Sequence, residues 1–207
     1  MSARIDKVVV SGVFSLDGQD FDVDNNVWLV GDDDEVLVID APHDATPIIE
    51  AVGGRRVTAI VLTHGHNDHI TAAPALREAT GAPIWFNPAD RMLWDMTHGA
   101  GGGAVAAPDR DLAAGTRFTV AGTTLTALHT PGHSPGSTCL HSADLTTVFT
   151  GDTLFCGGPG ATGRSFSDHP TILNSIRSEL FSLHGDTVVR TGHGDDTTIA
   201  AELRNLD

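Results

Sequence analysis

Apolar positions in this chain gather into short runs separated by turn residues, and the spacing of those runs predicts its elements. Residues 5–13 and 27–30 are strand-like, Gly31-Asp32-Asp33-Asp34 makes a turn, and residues 35–40 supply a third strand, together an N-terminal hairpin unit. Residues 45–52 read as a helix closed by Gly53-Gly54. The unbroken run Val57-Thr58-Ala59-Ile60-Val61-Leu62 predicts a buried strand. A helix over 70–80 closed by Gly81, a strand over 83–86 and a helix over 88–96 follow. This β-α-β-α rhythm predicts an α/β protein with mixed sheet covered by helices.

The second half is richer in strands. Residues 117–120 and 123–128 flank Ala121-Gly122 as a hairpin, and residues 146–150 and 187–191 are further strands. Between the halves, residues 98–107 are rich in Gly and Ala; they predict a surface loop, or a lid with Trp94 and His98 at its base.

Four of the strands end the same way, with glycine next to a histidine or aspartate. Residues 57–62 run into Thr63-His64-Gly65-His66-Asn67-Asp68-His69, residues 123–128 into Thr130-Pro131-Gly132-His133, residues 146–150 into Gly151-Asp152, and residues 187–191 into Gly192-His193-Gly194. Glycine lets the backbone turn sharply, so that a side chain can be aimed from a strand end. A stretch as polar as 63–69 is costly beside a buried strand unless a metal satisfies it. His64 and His66, two apart in extended backbone, point to one side and can share an ion, which His133 completes. Asp68 and His69 turn toward a second position, served by His193, and Asp152 has two oxygens with which to bridge the pair. Imidazole with carboxylate suits zinc first, with iron or manganese as alternatives, rather than calcium or magnesium. Water held between two such ions loses a proton near neutral pH and becomes a nucleophile. Asp40, at the end of its strand, is either a turn cap or a carboxylate that orients the ligand loop. His43, His129, His141, His169 and His184 have no comparable support and read as ordinary residues, and Asp32 to Asp34 lack the spacing of a calcium loop.

Composition narrows the setting. The 207 residues, with 40% hydrophobic and 19% charged, are enough for one substantial core, so residues 1–207 are expected to form a single domain. The formal charge of −15 with no basic run opposes a nucleic-acid partner. Cys139 and Cys156 do not make a disulfide framework. No window approaches a membrane span or a secretory signal, which predicts a cytoplasmic protein without a membrane partner.

Taken in order, the 63–69 cluster, Gly132-His133, Thr150-Gly151-Asp152-Thr153-Leu154-Phe155 and Gly192-His193-Gly194 with Thr197-Thr198-Ile199 resemble the metallo-β-lactamase superfamily, and within it the glyoxalase II-like hydrolases. The similarity spans about residues 27–202. It implies an αββα sandwich of two mixed β-sheets flanked by helices, with His64, His66 and His133 on one ion, Asp68, His69 and His193 on the other, and Asp152 bridging. It further implies that Asp68 handles the proton for the leaving group, and that Arg164, in a Gly-basic pair after the bridging Asp, contacts an anionic part of the substrate. The pattern departs from the family after Arg164, at residues 165–170, and lacks the extra helical domain of glutathione-using relatives. An Asp rather than a Cys at position 152 sets it apart from the best-known zinc β-lactamases, and the absence of Tyr from lactonases with an active-site Tyr. The resemblance therefore implies a two-metal hydrolase acting on a thioester of a small thiol. Arg outnumbers Lys heavily, with Lys7 the single lysine, which hints at a GC-rich genome and at mycothiol as the thiol. A persulfide dioxygenase using one iron, a hydrolase of another ester, lactone or amide, and a metal-binding protein without turnover are the alternatives.

Overall fold

The computed structural model describes residues 2–99 and 107–206. Its first sheet holds six strands in sequence order: β1 (Arg4–Leu16), β2 (Gln19–Gly31), β3 (Glu35–Ile39), β4 (Arg56–Val61), β5 (Ile84–Phe86) and β6 (Arg110–Asp111). The pairs β1–β2 and β2–β3 are antiparallel and the rest parallel. The second half supplies β7 (Arg117–Val120), β8 (Thr123–His129), β9 (Thr138–Ser142), β10 (Thr147–Gly151), the small ribbon of β11 (Leu154–Phe155) and β12 (Gly158–Pro159), then β13 (Val188–Thr191) and β14 (Thr197–Thr198). Apart from the ribbon these form a second sheet in the order β14-β13-β10-β9-β8-β7.

The two sheets face one another, and helices cover their outer faces, so the layers run α-β-β-α. Side-chain alternation explains why the central strands read as unbroken apolar runs. In β2 and β3, Trp28, Val30, Leu37 and Ile39 turn inward against Leu125, Leu140 and Phe149 of the other sheet. Their neighbours Val27, Leu29, Val36 and Val38 turn outward, into a core completed by Ile48, Leu76 and Trp94. A strand buried on both faces has no polar side to display. Ile48 lies on α1 (Thr46–Val52); α2 (Asn67–Ile70) is a single turn, and Leu76 and Trp94 lie on α3 (Ala73–Thr80) and α4 (Arg91–His98). The outer face of the second sheet is covered by α5 (His169–Ser175), its continuation Ile176–Leu180, and α6 (Ile199–Asn205), through Ile172, Ile176, Leu180 and Ile199.

Two expectations change here. The N-terminal strands extend well past residues 13 and 27, pairing without interruption from Arg4↔Gly31 to Leu16↔Gln19. Asp17 and Gly18 close them in a two-residue turn, with φ of 52° and 71°; Asp-Gly is the preferred pair for such a turn because both positions are left-handed. The polar stretch Asp20-Phe21-Asp22-Val23-Asp24 hid this strand, since half of the ribbon projects beyond the sandwich. The helix expected over 70–80 is split at Thr71-Ala72, where Pro74 starts a new helix. Of the loop at 98–107, residues 100–106 lie outside the described residues. His98 itself sits against Trp94, with ring centroids 4.3 Å apart, and bonds through Nε2 to the Ile70 carbonyl at 3.2 Å.

No helix among the described residues is long and apolar enough to cross a membrane.

Candidate metal centre

β8 is antiparallel to β9, β9 is antiparallel to β10, and β10 is parallel to β13. Their C-terminal ends carrying His133, Asp152 and His193 therefore lie at one edge of the sandwich. The ends of β3 and β4, carrying Asp40 and His64 to His69, reach the same edge from the first sheet. Backbone and side-chain bonds lock the sheets together there: Asn26 N donates to the Gly192 carbonyl (2.7 Å), and Asn26 Nδ2 and Trp28 Nε1 donate to that of Thr191 (3.1 and 3.0 Å).

The structure brings all seven expected side chains into one cluster. His64, His66 and His133 form one group whose ligand atoms lie within 4.8 Å of each other; Asp68, His69 and His193 form a second, and His64, His69 and Asp152 a third that overlaps both. His64 Nε2 lies 3.1 Å from His66 Nδ1, which lies 2.9 Å from His133 Nε2. Asp152 faces two ways, with Oδ1 3.3 Å from His69 Nε2 and Oδ2 3.6 and 3.5 Å from His133 and His193 Nε2. Close approach is needed for this: a Cβ at Gly192 would fall 2.3 Å from Asp152 Oδ1.

Most of these rings are aimed from behind. His133 Nδ1 donates to the Ala161 carbonyl (2.8 Å), His193 Nδ1 to that of Asp24 (2.8 Å), and His69 Nδ1 to Asp40 Oδ2 (2.9 Å). Each bond leaves Nε2 facing the centre, which is how ligating imidazoles are held. Asp40 also accepts from Thr63 N (2.7 Å) and Thr63 Oγ1 (2.8 Å), with its own backbone at φ 64°. Of the two sequence readings of Asp40, the buried carboxylate orienting the ligand loop describes its contacts.

A cation fits these residues. Asp68 Oδ1 and Asp152 Oδ1 are buried without a hydrogen-bond partner, an arrangement that costs about 1–3 kcal/mol or more for each group unless something neutralises it. Nitrogens of three imidazoles meet within hydrogen-bonding distance although few protons can lie between them. The charge distribution differs between the two groups. Burial, reinforced by His69, pushes His64 well below its ordinary pKa, and burial with His133 pushes His66 down to about 3. Both are neutral at pH 7. Burial opposes a charge on His193 too, but Asp152 and Asp68 overcome it and raise its pKa to about 10. The same carboxylates, with Asp40, raise His69 against its burial. In turn, although burial opposes their ionisation, His69 and His193 keep Asp68 below and Asp152 well below their ordinary values. Only one proton can lie between His69 Nε2 and His193 Nε2, which are 3.2 Å apart.

A pocket of about 360 Å3 opens onto Asp68, His133, Asp152 and His193, with Phe14, Val23 and Ala161 as its apolar wall. Phe14 comes from the projecting part of the β1–β2 ribbon and lies 5.2 Å from the His66 ring. Asn67 pins the ribbon there, donating from Nδ2 to the Val13 carbonyl (3.0 Å) and accepting from Ser15 N (2.9 Å). A second cavity of about 370 Å3, between Ser15, Leu16 and the α4 residues Leu93 and Met96, meets the first at His66.

Arg164 is not brought to this pocket. Its Nη1 donates to Gln19 Oε1 at 3.0 Å and its guanidinium stacks 4.9 Å from the Phe21 ring, so it braces the tip of the ribbon. Those contacts join it to the ribbon rather than to the pocket wall. Sequence reasoning also passed over Asn25, His43 and Asp90. Asn25 is fully buried among the second group of ligands, and His43, expected to be an ordinary loop residue, bonds to it. Asp90, fully buried, accepts from Gly65 N (2.8 Å), Gly136 N (2.5 Å) and Ser134 Oγ (2.6 Å), tying the His64–His66 loop to the His133 loop. Burial raises its pKa against those three bonds. Its only sequence signal was an acidic residue following Asn87-Pro88 at a helix start.

Residues 21–193 match the metallo-beta-lactamase superfamily. The chain belongs to that superfamily. It is 33% identical over 191 residues to the Haemophilus influenzae protein named hydroxyacylglutathione hydrolase GloC, covering 87% of this chain and 90% of the relative. Among solved structures it is similar to the BLEG-1 B3 metallo-beta-lactamase (TM-score 0.78, 29% identity, 94% of this chain and 97% of the other). It is also similar to TTHA1623 in a di-iron-bound form (TM-score 0.77, 31% identity, 88% and 94%).

Two predictions come from this geometry. Asp90→Ala leaves three buried donors without an acceptor and is expected to cost about 3–5 kcal/mol, read from the urea midpoint; a loss under about 1 kcal/mol would show that Asp90 does not clamp the loops. Secondly, an ion held by Asp68, His69 and His193 must displace the proton that His193, with its pKa raised to about 10, retains at neutral pH. Affinity there should keep rising with pH from 6 to 9, by up to about tenfold per unit for that proton. Competition titrations at several pH values check this, and a plateau above pH 7 would contradict it.

Proposed function

We propose that this metallo-beta-lactamase superfamily hydrolase holds two divalent ions and cleaves a thioester of a small thiol to a carboxylate and a free thiol. In this reading His64, His66 and His133 hold one ion, Asp68, His69 and His193 the other, and Asp152 joins them. The observation that carries it is the placement of Asp152 between the two groups, its carboxylate within 3.6 Å of His133 in the first and of His69 and His193 in the second. The GloC relative supports a thioester over other acyl substrates. Zinc or iron suits the imidazole and carboxylate donors, and the similar structure solved with two irons keeps iron in contention with zinc and manganese.

When bound, such ions supply a nucleophilic water at neutral pH and polarise the substrate carbonyl. The chain's own residues do the rest. Phe14, Val23 and Ala161 keep bulk water from the reacting carbonyl. The cavities that meet at His66 accommodate two arms of a substrate joined at the scissile bond. As water adds to the carbonyl carbon, the C–S bond breaks and its electron pair leaves on sulphur. Asp68, whose Oδ2 is taken up by Asn25 and His193 while Oδ1 has no partner, takes the proton from water on Oδ1 and returns it to the sulphur.

With Arg164 occupied by the ribbon, no lysine or arginine lines the pocket among the described residues, which supports a thiol carrier without a large negative charge, mycothiol among them. The test is turnover of glutathione, mycothiol and coenzyme A thioesters by metal-loaded protein, beside a β-lactam and a thiol persulfide. Thiol release from at least one thioester, fastest with the least anionic carrier, is the expected result. Protein holding two ions that releases thiol from none would end the thioester reading, and oxygen uptake with the persulfide by a one-iron protein would replace it.

A further inference from the structure

Asn25 lies on β2, fully buried, with its amide nitrogen over the second group of ligands: 3.1 Å from Asp68 Oδ2, 3.2 Å from His69 Nε2 and 3.4 Å from His193 Nε2. It approaches all three and belongs to none of the ligand groups. What fixes the amide is on its other side, where His43 Nε2 lies 2.8 Å from Asn25 Oδ1. With Nε2–H as donor, His43 holds the carbonyl oxygen outward and the NH2 inward. An amide turned the other way would face His43 with two hydrogens and offer no acceptor to that donor.

His43 is itself held in place. Its backbone has φ 45°, in the left-handed region that among side-chain-bearing residues Asn, Asp and His adopt most readily. The ring is half-buried across the β1 backbone at Gly12, where an added Cβ would fall 2.2 Å from His43 Cγ and 2.3 Å from Nδ1. The glycine clears the space that the imidazole fills. A left-handed backbone, a cleared face and a short bond all serve the orientation of one amide.

That orientation has a consequence at Asp68. Its Oδ2 accepts from Asn25, while its Oδ1 is buried with no partner. We propose that Asn25, oriented by His43 packed on Gly12, is the positioning residue of the second ion site: it bonds Asp68 Oδ2, the oxygen that lies 3.6 Å from His69 Nε2 and 3.3 Å from His193 Nε2, and so fixes the carboxylate against the other two ligands. The assignment rests on the two-ion reading of Asp68, His69 and His193. His43 then governs the affinity of an ion that it never touches. The first group, His64, His66 and His133, has no contact with Asn25 or His43, so the effect is confined to one position.

The test is stepwise chelator competition on the full-length chain loaded with cobalt(II), following the visible absorption of each ion as it leaves. Two variants are compared with the parent. His43→Gly relieves the left-handed backbone while deleting the imidazole, and Gly12→Ala keeps the imidazole but displaces it. Both are expected to weaken the second ion roughly 10–100-fold, to alter its absorption band, and to leave the affinity of the first ion unchanged. A general loosening of the fold would weaken both ions together, and that result overturns the proposal. So does an unchanged second-ion affinity in both variants when the parent holds two ions. A parent chain that takes up one ion only overturns the two-ion reading, and this assignment with it.

Discussion

Six side chains with lone pairs or negative charge are pressed together with a seventh at one end of this fold, and everything around them is arranged to keep them there. His64 Nε2, His66 Nδ1 and His133 Nε2 lie 3.1 and 2.9 Å apart in succession. Two buried carboxylate oxygens beside them have no partner. Such an arrangement is unfavourable in a low-dielectric interior without a cation, and it persists only because the surrounding bonds leave the side chains no other place. Asp40 fixes Thr63 and His69, Asp90 fixes the loops of His64–His66 and His133, and two main-chain carbonyls fix His133 and His193. The structure holds the donors and spends its rigidity on their direction, so that an arriving ion meets ligands already in position.

The sandwich explains how distant parts of the chain reach one place. Parallel alignment within each sheet puts several C-terminal strand ends at the same edge, and the inward face of each sheet supplies the apolar contact that keeps the two edges in register. The β1–β2 ribbon adds what the sandwich lacks. Its inner half completes the first sheet and carries Asn25 and Asn26 to the ligands; its outer half projects past the core and lays Phe14 over His66. Among the described residues, the ribbon forms the cover. Arg164 belongs to that cover, bracing its tip.

Legibility in the sequence followed from how local each signal was. Apolar runs and the glycine-flanked His and Asp residues are local patterns, and they led directly to the central strands and the seven converging side chains, while the layer order came from the family resemblance those motifs carry. Asp40 was legible as a choice between two roles, because its place at a strand end before Pro42 is local while its contacts with Thr63 and His69 are not. Asn25 and Asp90 carry no signal of their own: a lone amide in a polar run and an acidic residue at a helix start are commonplace until the fold sets them against Asp68 and Gly65, 43 and 25 positions away. The outer half of the ribbon was missed for the opposite reason. Its alternation of Asp with Phe and Val is that of a strand exposed on both sides, which lacks the buried face that marks strands elsewhere. For Arg164 the motif gave a position but not a direction, and its guanidinium lies against Gln19 and Phe21 at the ribbon tip.

The account depends most on Asp152 joining two ions. Anomalous diffraction from crystals of the metal-loaded protein, collected on either side of the metal absorption edge, measures that directly. Two peaks are predicted, one among His64, His66 and His133 and one among Asp68, His69 and His193, with an Asp152 oxygen on each. A single peak, or two peaks with Asp152 bound to only one, would contradict it.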